Sequence, residues 1–477
     1  MTINISTTDF EEWLQKNNLD FLYKANYDVL TIDLYYQASL QNNSFIGSED
    51  RDYVILSEKG EAAAYYPAAP ISTKTLLDAG VLDIVLERSK AAQKKYQVFV
   101  QKYEEAEIQA LDVLEFFEQY CALYIELVAC FRTTRPAYVD PLVEKLKLVL
   151  ASNASEEIIS PLLISEHGDG IRLEQRDWMT LLHKEMASTE DLMKHATSYP
   201  WLFPAAYDYE IAVSNLANRY KIDVDKRVER IEEYQKAQTV LQASIEQKKQ
   251  YLEHTPSEEA LQLVETIAKL SEYRTYFKLA LAGMSLRFGT IFKKISAQAH
   301  LDPIIFYNSY TIDDITNLLL HTTVLSPEVV NQRNDYYAYI VRNLKKEVST
   351  DGAYRESLKK YFSAHDQAHI VGVSACPGVV RGVARVLQNS EIKDVTLESL
   401  QGKILVTTMT DPSIMPFIRN CLALVTDQGG LTSHAAIVSR EMHIPCIVGT
   451  KNGTEIIKDG SMIEVDADRG VIRPVTR

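Results

Sequence analysis

Residues Thr426 to Arg440 read TDQGGLTSHAAIVSR, and this stretch constrains the chain more than any other. The apolar run Leu422-Ala423-Leu424-Val425 predicts a buried strand. Gly429 and Gly430 break it, and Thr432-Ser433 open an alanine-rich helix through Ala435 to Glu441. His434 then falls in the first helical turn, beside backbone N–H groups that lack an intrahelical partner. Free amides and the positive end of the helix dipole favour an anion there. A histidine in that position is placed to hold a phosphoryl group covalently. The plainer use of a histidine in a glycine-rich turn is as a cap or a satisfied surface residue, and strand, glycine pair and helix alone do not separate the two.

The flanking text separates them. Upstream lie Gly372-Val373-Ser374-Ala375-Cys376-Pro377-Gly378-Val379-Val380-Arg381-Gly382-Val383-Ala384-Arg385-Val386 and then Thr410-Asp411-Pro412-Ser413-Ile414-Met415-Pro416. Downstream lie Ile444-Pro445-Cys446-Ile447-Val448-Gly449 and Asp459-Gly460-Ser461-Met462-Ile463-Glu464-Val465-Asp466. With the histidine segment these make five ordered blocks, and together they resemble the phosphohistidine domain of the PEP-utilising enzymes: phosphoenolpyruvate synthase, pyruvate phosphate dikinase, enzyme I of the sugar phosphotransferase system and rifampin phosphotransferase. The resemblance covers about residues 370 to 477. It implies that His434 is the phosphorylated histidine, with Gly429, Gly430, Thr432 and Ser433 holding the phosphoryl oxygens. Two positions depart from the pattern. Ser413 stands where the family carries an acid, and Leu431 stands where the synthase has arginine and the dikinase an apolar residue.

A chain of 477 residues predicts two or three domains. Its 46% hydrophobic and 24% charged residues are globular values, and the net charge of −15 argues against nucleic acid or an anionic membrane as partner. Residues 1–12 lack the pattern of a signal peptide, and no run of about 18 apolar residues occurs. The five cysteines have no metal-type spacing, so no metal site is expected. These features predict a cytoplasmic protein.

The expected fold is multidomain: a mainly α N-terminal region with a small β element over residues 1–365, then a C-terminal α/β swivelling domain over residues 366–477. Thr8-Asp9-Phe10-Glu11 has capping-box spacing. Residues 28–66 read as strands separated by polar turns, and residues 72–321 as predominantly helical. The stretch Leu111 to Arg132 predicts one helix closed by Arg135-Pro136. Asp223 to His254 and a second helix starting at Ser257 predict a helical hairpin. Leu344 to Val348 and Ser357 to Ala364 read as the last helical pieces before a boundary near 351–370. A connector like that of synthase-type and rifampin-type enzymes is suggested by Arg274, Arg287, Lys293 and Lys294, followed by Phe306-Tyr307 and Thr311-Ile312-Asp313-Asp314.

In the relatives an ATP-grasp domain charges the histidine and a third domain supplies or accepts the group. Residues 1–350 contain no glycine-rich nucleotide loop, and the sequence ends at Arg477 without the pyruvate/PEP barrel. A helical acceptor domain directly before the swivel resembles the order of rifampin phosphotransferase. The resemblance therefore implies a split enzyme. Its donor, Mg-ATP or PEP, acts through a separate ATP-grasp subunit, with no tightly bound cofactor, and a small-molecule acceptor sits in the helical domain. His183, His195 and Trp201 are candidates for the acceptor pocket, although most such residues are structural. His443 reads as a charge complement at the helix end, and Arg440 as a structural ion-pair partner. The alternatives are a phosphocarrier or regulatory protein whose helical domain binds a protein, and a scaffold without turnover.

Overall fold

The computed structural model describes residues 19–25, 29–43, 53–58, 61–67, 76–77, 80–104, 111–134, 136–150, 159, 161–163, 170–184, 186–203, 207–254, 257–342, 345–354, 356–357, 370–387, 400–410, 418, 420–430 and 433–475. A five-stranded antiparallel sheet gathers β1 (Leu19–Ala25), β2 (Tyr53–Glu58), β3 (Glu61–Pro67), β4 (Tyr336–Arg342) and β5 (Lys345–Ser349) in the order β1-β3-β2-β4-β5. Two expectations change here. The first of the strands expected in 28–66 is a helix, α1 (Val29–Asn43). Val29, Leu30, Ile32, Leu34, Tyr36 and Ala38 are all buried on it. A helix covered on several faces leaves an apolar run that periodicity cannot tell from a buried strand. The second is Leu344 to Val348, expected helical, most of which forms β5 paired with β4. Strand pairing therefore begins before Asp351, not after it, and β4 and β5 complete the N-terminal sheet.

One buried carboxylate ties this sheet to the helices. Asp33 of α1 accepts the Tyr339 hydroxyl at 2.6 Å, the Lys346 ammonium at 2.7 Å and the Ile312 backbone N–H at 2.9 Å. Lys346 also pairs with Asp313 at 3.1 Å. A fully buried carboxylate is tolerated because each oxygen is hydrogen-bonded and a cation neutralises it.

The helical body follows the expected pattern. It contains α2 (Val81–Glu104), α3 (Val113–Thr133), α4 (Pro136–Val149), α5 (Gly170–Leu182), α6 (Thr189–Ser198), a short 3₁₀ turn (Pro200–Leu202) and α7 (Tyr209–Asp225). The hairpin α8 (Arg227–His254) and α9 (Glu258–Arg287) comes next, then α10 (Gly289–Ala297), α11 (Pro303–Tyr307), α12 (Ile312–His321) and α13 (Pro327–Asp335). Asp112 caps α3 by accepting the Leu114 and Glu115 N–H groups. Pro136 opens α4 rather than merely closing α3, since the first helical position needs no N–H. Thr311 and Asp314 form the capping box of α12. Phe99, Phe116, Tyr120, Phe288 and Phe292 interlock edge-on and tilted at the centre of this body.

The C-terminal unit is an eight-stranded mixed sheet in the order β6-β13-β12-β8-β9-β10-β11-β7. Its elements are β6 (Ile370–Val371), β7 (Val373–Cys376), β8 (Val379–Leu387), β9 (Lys403–Thr407), β10 (Cys421–Thr426), α14 (His434–Met442), β11 (Cys446–Val448), α15 (Gly453–Ile456), β12 (Met462–Asp466) and β13 (Val471–Pro474). The two edges, β6 and β7, are consecutive pieces of one segment, so the sheet curls back on itself. Gly372 sits at the join, and a Cβ on Gly470 would lie 2.3 Å from its carbonyl oxygen. The run β8-β9-β10-β11 is parallel, and Ala423, Leu424 and Val425 of β10 are fully buried, as a covered parallel strand requires.

Residues 363–367 of the expected boundary, the capping box at Thr8 and most of Ser357 to Ala364 lie outside the described residues. The two halves meet on an apolar surface. Buried residues from α5, α7 and α9, among them Ile171, Leu216, Leu279 and Leu286, share one cluster with Cys376, Ala435, Val438 and Val448 of the C-terminal unit. Helix α8 lies against α14 across this junction, with Ile231 and Tyr234 packed on the cluster from one side and Met442 from the other.

Candidate phosphoryl-transfer site

The site is built where the parallel strands β9 and β10 end. After Thr426 the chain turns through Asp427-Gln428-Gly429-Gly430 and enters α14. Gly429 has φ of +113°, and a Cβ there would lie 2.7 Å from Ser433 Oγ, so both conformation and space demand glycine. Ser433 is the helix cap: its backbone is extended and its Oγ accepts the Ala436 N–H at 3.2 Å. His434 is the first helical residue, where the sequence expected it. Thr432 lies outside the described residues. Ser433 thus has its lone pairs in the cap but keeps a hydroxyl proton to donate. Gly429 and Gly430 contribute the turn that brings the helix N-terminus to the strand ends.

One acid holds this turn. The Asp427 backbone N–H donates to Thr407 O at 3.1 Å and the Gln428 N–H to Thr408 O at 3.0 Å, so the two strand ends run side by side. Asp427 Oδ1 accepts the Thr450 hydroxyl at 2.8 Å and the Thr454 N–H at 3.1 Å, while Oδ2 accepts the Thr454 hydroxyl at 2.5 Å. Burial pushes the Asp427 carboxyl above the ordinary carboxylate range, against the pull of those hydrogen bonds. Around this anchored turn two polar side-chain atoms have no accessible surface and no hydrogen-bond partner: Thr408 Oγ1 and Gln428 Nε2.

The helical body presents charged groups to the same unit. Lys278 of α9 donates to the Thr410 carbonyl, three residues past β9. Arg230 of α8 is buried and donates to Asn420 at 3.1 Å, to Glu233 at 2.9 Å and to Asp223 at 3.3 Å. Asp140 of α4 has a buried Oδ1 without a hydrogen-bond partner. Burial raises its carboxyl to about 6, although Arg274 of α9 and Arg440 of α14 both pull it down. Arg440 is therefore a buried junction residue that faces a carboxylate. His443 ends α14 in the left-handed conformation, and burial lowers its pKa. It favours the neutral form there, which corrects its reading as a charged complement.

Of the three acceptor-pocket candidates, His195 and Trp201 are buried and share the neighbour Tyr199, whereas His183 is exposed. His183 is exposed at the end of α5, its Nδ1 2.7 Å from Met179 O. His195 is buried, with Nε2 3.1 Å from Glu174 Oε1, and its ring packs against Trp178 and Tyr199. Trp201 meets Tyr199 edge-on and is buried in the 3₁₀ turn beside Gly283 of α9. Glu174 also accepts Arg219 at 2.7 Å, and Arg219 lies over Trp178 at 3.9 Å. Burial alone would raise the Glu174 carboxyl, but Arg219 and His195 outweigh it and hold it down at about 2. Arg219 thus offsets the cost of burying the Glu174 carboxylate. Among the described residues no three His, Cys, Asp or Glu side chains gather as a metal site, and no helix is long and apolar enough to cross a membrane.

Residues 399–470 match the family described as PEP-utilising enzyme, mobile domain. The C-terminal unit belongs to the PEP-utilising enzyme family. A probable phosphoenolpyruvate synthase from Staphylothermus marinus is 50% identical over 101 residues, 21% of this chain and 12% of that protein. The phosphoenolpyruvate synthase of Pyrococcus furiosus is 40% identical over 141 residues, 29% of this chain and 16% of its own length. A chondramide synthase from Chondromyces crocatus is 47% identical over 110 residues, 23% of this chain and 3% of that protein. The chain thus matches only a small share of each relative. A solution structure of a UPF0107 protein, 18% identical, covers 23% of this chain with a TM-score of 0.19, too low to bear on the fold. Family membership supports a phosphohistidine-carrying, phosphotransferase-type role for the C-terminal unit.

Proposed function

We propose that His434 accepts a phosphoryl group and passes it to a small-molecule acceptor bound by the helical body, the group coming from a separate ATP-grasp subunit that draws on Mg-ATP or PEP. The observation that carries this reading is the placement of His434 at the first position of α14, directly behind the Gly429-Gly430 turn. The chemistry is nucleophilic catalysis in two steps. One ring nitrogen of unprotonated His434 attacks phosphorus in line, the donor bond to phosphorus breaks, and the phosphoimidazole later yields the group to an acceptor oxygen as that oxygen loses its proton. Reacting atoms must stand about 3–3.5 Å apart at each transfer. One histidine serving two sites therefore has to be carried between them by swinging of the C-terminal unit. The Lys278 contact with Thr410 supports reading the present arrangement as the acceptor-facing one, because it puts a cation of the helical body on the segment that leaves β9, the strand paired with β10.

A second reading is a phosphocarrier whose helical body docks a protein. The burial of His195 against Trp178 and Tyr199, and of Trp201 against Tyr199, favours it, since both candidate side chains are already covered by neighbouring rings. Incubation with Mg-ATP, with PEP, and with each plus candidate ATP-grasp proteins, followed by mapping of acid-labile phosphate, tests the first step for both readings. Transfer onward to a protein rather than to a small molecule would select the second.

A further inference from the structure

The buried polar atoms beside the histidine turn have no work in the structure as it stands. Thr408 is fully buried, and its Oγ1 has no hydrogen-bond partner. Gln428 Nε2 has none either, and it is equally without solvent contact. An unsatisfied buried donor of this kind costs free energy, and native proteins keep few of them without a use. Both residues leave the carboxyl ends of neighbouring parallel strands, joined by the Gln428 N–H to Thr408 O hydrogen bond. The carboxyl ends of parallel strands are where ligands sit in both open and closed α/β sheets. The nine-residue helix α14 starts from the same turn, with its first amides free of intrahelical partners.

We propose that Thr408 and Gln428 are the side-chain donors that hold the oxygens of the phosphoryl group on His434. The proposal rests on the phosphohistidine reading and names the part of the site that stabilises the charged state. When the donor bond to phosphorus breaks and the bond from the His434 nitrogen forms, the transferred group keeps its negative oxygens. The Thr408 hydroxyl and the Gln428 amide then each supply one N–H or O–H to those oxygens, beside the amides of α14. Their lack of partners in the unloaded protein is the stored cost of a site organised for the loaded one. Asp427, whose hydrogen bonds fix the turn, keeps both donors in place before the group arrives.

The test uses the full chain and potassium phosphoramidate, a small-molecule donor whose P–N bond breaks with release of ammonia as His434 is phosphorylated. Site-resolved mass spectrometry follows loading at His434 and its decay at neutral pH in wild type, Thr408→Val, Thr408→Ser, Gln428→Leu and His434→Ala. Thr408→Val and Gln428→Leu are expected to shorten the lifetime of the phosphohistidine by about tenfold each, the weight of one charge-assisted hydrogen bond. Thr408→Ser, which keeps the hydroxyl, should restore it. Thr408→Val should also raise the melting temperature of the unphosphorylated protein, because it replaces an unpartnered hydroxyl with a methyl group. A merely structural threonine would lower it. Equal loading and equal lifetimes in all variants that retain His434 would overturn the oxygen-binding role while leaving the phosphohistidine intact. Failure of wild type to load at His434 would sink the functional reading itself.

Discussion

At the scale of single residues, His434 is legible because its chemistry is local: glycine pair, cap and helix start lie within six consecutive positions, and the structure reproduces that order. Replacing His434 with alanine should leave the circular dichroism spectrum unchanged and abolish phosphate uptake, which intact-mass analysis reads directly. Thr408 and Gln428 were not legible, since twenty residues separate them and only the pairing of β9 with β10 brings them together. Asp140 was invisible for the same reason: its environment comes from α4, α9 and α14 at once. Its carboxyl is raised to about 6 by burial. The folded protein therefore favours the protonated acid, and this contribution is present below the unfolded value near 3.8 and lost as pH rises through about 6. Asp140→Asn should raise stability at pH 8 by about 1–3 kcal/mol, at about 1.4 kcal/mol per pKa unit. Urea melts should show no difference between the two proteins near pH 4.

At the scale of elements, helices whose charged faces and caps mark their limits are legible in the sequence, whereas α1 and β5 are not. The hairpin of α8 and α9 and the capping box of α12 follow the sequence closely, because charged faces and caps mark their limits. Helix α1 reads as a strand in the sequence because burial on several faces removes the periodic signal. Strand β5 reads as a helix in the sequence because its Lys345-Lys346-Glu347 composition reflects an edge strand, charged and half-exposed, rather than strand propensity. The turn before α14 depends on Gly429 in a conformation that L-residues avoid. Gly429→Ala should cost about 1–2 kcal/mol from the backbone alone. Because the new methyl would press on Ser433 Oγ, it should also slow loading at His434 more than it lowers stability. Single-turnover loading beside a thermal melt separates the two effects.

For the whole molecule, the sequence foresaw two units in the right order but not how they meet. The structure joins the halves through a continuous apolar cluster and the buried Arg230 between Glu233 and Asn420. Composition cannot reveal such a surface, because its residues look like ordinary core. If the C-terminal unit swings, this surface must open, and holding it shut should separate loading from delivery. Cysteines placed at Glu233 and Asn420, both in contact with Arg230, can be joined by a short bis-maleimide, the five native cysteines being buried. The joined protein should refuse phosphate from an ATP-grasp partner yet still release a group loaded beforehand. All of this depends on His434 carrying phosphate. The most direct measurement is peptide-level mapping of acid-labile phosphate after the full chain meets Mg-ATP or PEP with its ATP-grasp partner. The account predicts one phosphoryl group, on His434, absent from His434→Ala. Phosphate on another residue, or in equal amount on wild type and mutant, would contradict it.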